Sequence, residues 1–306
     1  MALLDIVLPV FLVIGLGYAL RRLEVVTPAT NTALSRLVFY VASPCLLLRS
    51  ISQTELDWAE SARMLGIVGG LTVLSAFAVY LAARWMHPSR RGVFAQGAIR
   101  SNTVFVGLPV VLNAFGEPGV AQAGILIAFF VVMENPLSVL LLTFPHQQAE
   151  RSSAAVWLQT GRRLVTNPLV IGSGGGILLS LFSVDLPTSL ARSLGLVGQT
   201  AAPLGLLCVG AGLDFRQLRA EWPATAGAAI IKLVIYPTLI LILLRAAGLT
   251  GLALSVPVLI CACPTAVISY VMAREMRGDE QLAAAIVIGT TVTALATLVG
   301  WLLILR

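Results

Sequence analysis

Apolar runs of about 20 residues recur from one end of this chain to the other, separated by short polar stretches. That is the length an α-helix needs to cross a hydrocarbon core about 30 Å thick. Lipid offers no partner to backbone N–H and C=O groups, so such runs must satisfy their own backbone as helices. A soluble protein with an unusually apolar core is the alternative, and composition excludes it. Of 306 residues 58% are hydrophobic and 11% charged, against about a quarter charged in a soluble domain. The sequence is that of an all-α integral membrane protein.

Ten apolar segments can be traced, at 2–20, 32–50, 61–83, 92–114, 119–142, 164–183, 188–211, 222–246, 252–273 and 281–305. The first has no basic residue before it and no small-residue cleavage site after it, so it is expected to remain as a transmembrane helix. The longest polar connection, "FPHQQAERSSAAVWLQTGRR", lies near the middle of the chain. Arginines set the orientation, because short cytoplasmic loops hold an excess of basic residues. Loops after the odd-numbered segments carry Arg21, Arg22, Arg84, Arg90, Arg91, Arg151, Arg162, Arg163, Arg216, Arg219, Arg274 and Arg277. The other side has Arg63, Arg192, Arg245 and Arg306. Both termini are therefore expected to face away from the cytoplasm across the inner membrane. The formal charge of +6 suits lipid headgroups and orientation and does not indicate nucleic-acid binding. Four cysteines (Cys45, Cys208, Cys261, Cys263) fall within apolar runs, with neither disulfide nor metal spacing.

The two halves of the chain resemble each other. "LPVFLVIGLGYAL" from Leu8 overlays "NPLVIGSGGGILL" from Asn167, pairing Pro9 with Pro168, Gly15 with Gly174 and Gly17 with Gly176 at an offset of 159. The same offset lays "SPCLLL" at Ser43 over "APLGLL" at Ala202, and an offset of 162 lays Asn102-Thr103 over Pro264-Thr265. Five segments per half is an odd number, so the second copy enters the membrane from the opposite side. The expected organisation is an inverted repeat, 1–145 and 164–306, joined by a cytoplasmic connection at 146–163. Secondary transporters use this architecture, with the substrate site near the midplane where broken helices meet.

"RSNTVFVGLPVV", residues 100–111, places a charge and helix breakers inside the fourth segment. Pro109 donates no backbone hydrogen bond, Gly107 adds freedom, and Ser101, Asn102 and Thr103 offer partners to freed backbone groups. The predicted break lies near Ser101–Thr103. Its repeat mate is "CACPTAVISY" in the ninth segment, with Pro264, Thr265 and Ser269. Two broken helices crossing at unwound points present free N–H groups and partial positive charge, a seat for a carboxylate. Proline kinks that serve packing alone are the alternative. Three ionisable residues lie deep in the segments. Arg100 either enters the pocket or snorkels to the cytoplasmic arginines. Lys232 is too central to snorkel and is expected to pair with a helix C-terminus, a polar side chain or a carboxylate, as a structural element or a coupling site. Glu134, beside Asn135 and Pro136, is a carboxyl that can carry a proton in a coupled carrier, or a neutral acid that holds two helices together. Ser43-Pro44 and Pro203 supply further helix breaks and polar atoms toward the same cavity, or ordinary packing.

"SNTVFVGLPVV", "KLVIYP" and "CPTAVISYVMA", with ten segments in two inverted halves, resemble the auxin efflux carrier family in its compact bacterial form. That family sits in a superfamily with bile-acid, arsenite and riboflavin-type transporters. The resemblance implies a scaffold domain from helices 1, 2, 6 and 7 and a transport domain from helices 3–5 and 8–10, moving like an elevator. It places Asn102 and Pro264 at the crossing and Glu134-Asn135 toward the substrate, and it implies a homodimer through the scaffold. The expected function is secondary transport of a small organic anion, a mono- or dicarboxylate, with proton, sodium or no coupling. A sodium symporter of the bile-acid type is the alternative. No HExxH, GxSxG or cofactor motif supports an enzyme, and neither a cofactor nor a metal is expected.

Overall fold

A computed structural model describes residues 4–54, 58–143, 166–213, 215, 218 and 221–305. The central connection expected at 146–163 and the arginines Arg151, Arg162, Arg163, Arg216 and Arg219 lie outside the described residues. In chain order the helices are α1 (Leu4–Arg22), α2 (Pro28–Ser52), α3 (Trp58–Ala82), α4 (Pro88–Ile99), α5 (Leu108–Thr143), α6 (Pro168–Leu181), α7 (Thr188–Gly198) and α8 (Ala201–Ala211). There follow α9 (Trp222–Ala246), α10 (Gly251–Cys261), α11 (Ile268–Glu275) and α12 (Glu280–Ile304). Among the described residues, the sole extended pairing is one antiparallel bridge, Ser101 with Thr265.

Among the described residues, six stretches are long and apolar enough to cross a membrane: Pro28–Ser52, Ala59–Ala82, Thr103–Leu142, Thr188–Ala211, Trp222–Ala246 and Glu280–Ile304. The multi-pass membrane character follows from these and from the outer surface, where Leu12, Leu16, Leu74, Leu81, Ile242 and Leu303 are exposed. The contrast with ten sequence segments has local causes. Thr103–Leu142 spans 40 residues, about twice what a bilayer needs, and turns sharply at Gly116 (φ 65°), a left-handed conformation open to glycine. The segments expected at 92–114 and 252–273 are each divided by a break, which leaves pieces such as α4 and α10 too short to span.

Three helix starts carry side-chain caps. Thr27 Oγ1 accepts from the Thr30 N–H at 3.2 Å, with Pro28 in the first turn. Asn167 caps α6 through the Leu169 N–H (2.9 Å) and Asp279 caps α12 through the Leu282 N–H (3.0 Å).

Three prolines inside apolar helices share one local solution. Val38–Ala42, Thr103–Gly107 and Ile231–Ile235 are widened, π-type turns, each closed by an N–H donating five residues back, and Pro44, Pro109 and Pro237 stand two residues after them. A proline ring clashes with the carbonyl four residues earlier and brings no N–H to bond it. Widening the preceding turn moves that carbonyl away and finds it another donor.

Helices α1 and α8 pack so closely that a Cβ on Gly17 would lie 2.2 Å from the carbonyl oxygen of Leu207. Helices α6 and α2 meet the same way, with a Cβ on Gly176 falling 3.0 Å from the carbonyl oxygen of Leu48. Gly17 to Gly176 and Leu48 to Leu207 are the same step of 159 residues. Small residues allow this approach in lipid, where packing rather than water exclusion drives association. Arg90 pairs with Glu221 and lies 3.5 Å from Asp279, tying α4 to the starts of α9 and α12.

Candidate functional site

The two broken helices meet at their breaks. Helix α4 ends at Ile99, Arg100 is extended (φ −69°, ψ 117°), and the chain resumes its helical path at Thr103. Helix α10 ends at Cys261 and α11 begins at Ile268. Between these ends the two segments run antiparallel. Asn102 N–H donates to the Pro264 carbonyl at 2.8 Å, and Ala266 N–H donates to the Arg100 carbonyl at 3.2 Å. Pro264 fits because its place in this pairing uses its carbonyl and needs no N–H. Side chains complete the accounting: Thr265 Oγ1 donates to the Gly97 carbonyl (2.6 Å), and Thr290 Oγ1 accepts from Thr265 N–H (3.1 Å). Asn102 Oδ1 accepts from Phe105 N–H at 3.3 Å, and the Asn102 carbonyl accepts from Gly107 N–H at 2.9 Å. Irregular backbone in the interior is tolerated where freed groups find protein partners, as these do.

Around the crossing stand the three buried charged side chains of the described residues: Lys232 is 0% exposed, Glu134 7% and Arg100 9%. The Arg100 guanidinium donates to Asn135 Oδ1 (2.6 Å), Ser138 Oγ (2.8 Å) and Met272 Sδ (3.0 Å). Its Nε lies 3.9 Å from Glu134 Oε2. The side chain thus turns inward, which overturns the snorkelling alternative: three partners on α5 and α11 outbid the solvent. Asn135 is itself held, its Nδ2 donating to the Val131 carbonyl at 2.9 Å. Lys232 Nζ donates to Ser101 Oγ at 2.8 Å and to the Cys261 carbonyl, and lies 5.2 Å from the centre of the Tyr236 ring.

Ser101, Asn102, Pro264, Thr265, Arg100, Lys232, Glu134 and Asn135 therefore form one connected group, with Thr103 buried at its edge. Gly107 closes the widened turn beside it, where a Cβ would meet Ile260 Cδ1 at 2.7 Å, and Pro109 is buried two residues on. Ser43, Pro44 and Pro203 stand apart from this bonded group. Ser43 is buried, Pro44 packs against Gly172 of α6, and Pro203 is exposed. Helix α8 nevertheless reaches the site through Gly205, which packs on Phe105. Sequence reasoning did not single out Ser138, Tyr236, Met272 or Thr290. A signal existed for two of them: Ser138 and Tyr236 each follow a buried charge by four residues, the spacing that stacks side chains on one helix face.

Two properties of the arrangement bear on chemistry. Positive charge exceeds negative, with two cations against one carboxylate. In addition, Asn102 Nδ2 and Glu134 Oε1 are buried without a hydrogen-bond partner, an arrangement that is unfavourable unless something else visits the site. Among the described residues no group of three His, Cys, Asp or Glu side chains gathers to hold a metal. A groove of about 460 Å³ lined by Trp85, Met86, Arg90, Phe94 and Glu221 lies elsewhere, and there Arg90 is already paired with Glu221 and Asp279.

Comparison with known proteins agrees with this reading of the chain as a carrier. It is 24% identical over 98% of its length to a protein of Rhizobium meliloti named "Putative malonate transporter", covering 95% of that protein. It is 28% identical to an "Uncharacterized transporter" of Methanothermobacter thermautotrophicus, over 98% of each chain. About half of it (49%) aligns at 25% identity with a quarter (25%) of Auxin efflux carrier component 1 of Arabidopsis thaliana. The family and these relatives are transporters and not enzymes. The family described as Membrane transport protein matches residues 2–302, and the chain belongs to that family, which the auxin efflux carriers share.

Proposed function

We propose that the protein moves a small organic anion, a mono- or dicarboxylate, across the cell membrane by alternating access, with the anion seated at the crossing. The observation that carries this is the charge balance there: Arg100 and Lys232 are buried with Glu134 as the single buried carboxylate among the described residues, beside an Asn102 amide donor that no protein atom accepts. A carboxylate would complete that donor and offset the surplus charge at a depth where water cannot. Both following helices, the one leading from Thr103 and α11, begin at the crossing, and helix starts favour negative charge. The relative named for malonate points to the same class of cargo.

Ten spans in two inverted repeats fit this role. The contacts Gly17 to Leu207 and Gly176 to Leu48, related by one offset, support that reading. So does the widened turn in α2, which lies at the same offset from the interruption between α7 and α8. Helices α1, α2, α6, α7 and α8 would form the scaffold, and the remaining helices an elevator-like transport body. A homodimer through the scaffold, an inner-membrane location and termini on the non-cytoplasmic side complete the proposal. The test is a thermal-shift screen of detergent-purified protein against malonate, malate, succinate, acetate and neutral amides. Stabilisation by carboxylates alone is expected. Stabilisation by neutral solutes with none by any carboxylate would overturn the assignment.

A further inference from the structure

Lys232 bonds both broken helices at once. Helix α10 stops at Cys261 in the interior of the protein, and the last carbonyls of a helix carry partial negative charge with no intrahelical donor. Lys232 Nζ donates to the carbonyl of Cys261 itself and, at 2.8 Å, to Ser101 Oγ at the break of the other helix. The Tyr236 ring centre is 5.2 Å away. A backbone carbonyl, a hydroxyl and an aromatic face are ligands a protein offers a free monovalent cation. Here they surround an ammonium on a stem.

The stem is aimed from outside the crossing. Lys232 lies in the widened turn Ile231–Ile235 that Pro237 imposes on α9, and Trp301 Nε1 donates to the Leu233 carbonyl at 2.7 Å, holding that turn in place. Its partner Tyr236 is fixed in turn by a 2.6 Å hydrogen bond with Thr72 Oγ1. The charge thus reaches both broken helices from a third element and cannot leave.

We infer that the Lys232 ammonium is a tethered cation standing in a monovalent-cation seat at the crossing, so that removing the side chain exposes a site for free sodium or a small alkylammonium. Taken with the anion reading, on which this consequence rests, it makes wild-type transport independent of sodium. The cation seat itself can be tested without any anion.

Lys232→Ala and Lys232→Met would be purified in detergent, with sodium present during preparation, and melted in sodium, methylammonium or N-methylglucamine chloride at equal ionic strength. The wild type and Lys232→Arg should melt at the same temperature in all three salts. At least one of the truncated variants should melt several degrees higher in sodium or methylammonium, saturably with concentration, than in the bulky cation. Equal melting of both truncated variants in every salt overturns the inference, as does an equal sodium shift in the wild type. Failure of both to fold in any salt overturns it too, because a free cation then cannot replace the tethered one. Malonate binding to the wild type is measured separately: its absence with the salt effect intact removes the anion reading and leaves the cation seat standing.

Discussion

Asn102 does two jobs that can be separated with two substitutions. Its Oδ1 accepts from Phe105 N–H at 3.3 Å, capping the turn that restarts the helix, while its Nδ2 is buried and free. Asn102→Ala removes both. Losing a cap costs about 1 kcal/mol of stability, and losing a hydrogen bond to a charged acceptor costs about 1.5–3 kcal/mol of binding, or roughly 10- to 100-fold in affinity. Asn102→Asp keeps the capping oxygen at a helix start, where a negative charge is welcome, with Arg100 and Lys232 nearby to offset it. It also puts a carboxylate where the donor was. Two like charges about 3 Å apart at an effective dielectric constant of about 20 repel by roughly 5 kcal/mol, which is a loss of more than a thousandfold. The expectation is therefore a crossed pattern: Ala is less stable and binds weakly, whereas Asp is as stable as the wild type and does not bind. Melting temperature and calorimetric titration with malonate, followed by uptake into proteoliposomes, measure both axes. An Asp variant that binds and transports like the wild type would refute the placement of the anion against Asn102.

Other expectations follow from contacts already described. Glu134→Gln imitates the protonated acid, so if Glu134 carries a proton through the cycle, uptake by the variant should be flat over the pH range where the wild type changes; an unchanged profile assigns Glu134 to holding Arg100. Gly17→Ala forces a Cβ to 2.2 Å from the Leu207 carbonyl oxygen and should destabilise by about 1–3 kcal/mol, whereas Gly15→Ala, with open space around it, should melt like the wild type. Arg90→Gln leaves Glu221 and Asp279 without their partner at the edge of the bundle; since Arg90 is one-third exposed, solvent limits the loss to about 1 kcal/mol, read as a small drop in melting temperature with anion binding unaffected.

Much of the fold was legible because its causes are local. Hydropathy marks helices that cross lipid, and a proline within such a run marks a disturbed turn. The break at Ser101–Thr103 could be placed because three short polar side chains and a glycine precede Pro109 there. What the disturbance becomes could not be read. Pro44, Pro109 and Pro237 all follow widened turns that keep the helix running, and the actual interruption in the fourth segment lies at Arg100–Asn102, several residues before its proline. That choice depends on whether another chain segment arrives to bond the freed groups, as Pro264 and Ala266 do.

The charged residues divide the same way. That Lys232, Glu134 and Arg100 must find company in the protein follows from the unfavourable energy of a bare charge in lipid, and the sequence alone determines it. It also determines family membership and the membrane class, since both rest on patterns spread along the whole chain. Which partners those charges find was decided only by tertiary structure. Arg100 has a stem long enough to reach either the membrane surface or the interior, and the positions of Asn135, Ser138 and Met272 settle the direction. Lys232 is separated by 131 residues from Ser101 and by 29 from Cys261, and nothing along the chain ties the three together. They meet because two helices break at one depth and a third widens beside them, a coincidence in space that local sequence chemistry permits and only packing enforces.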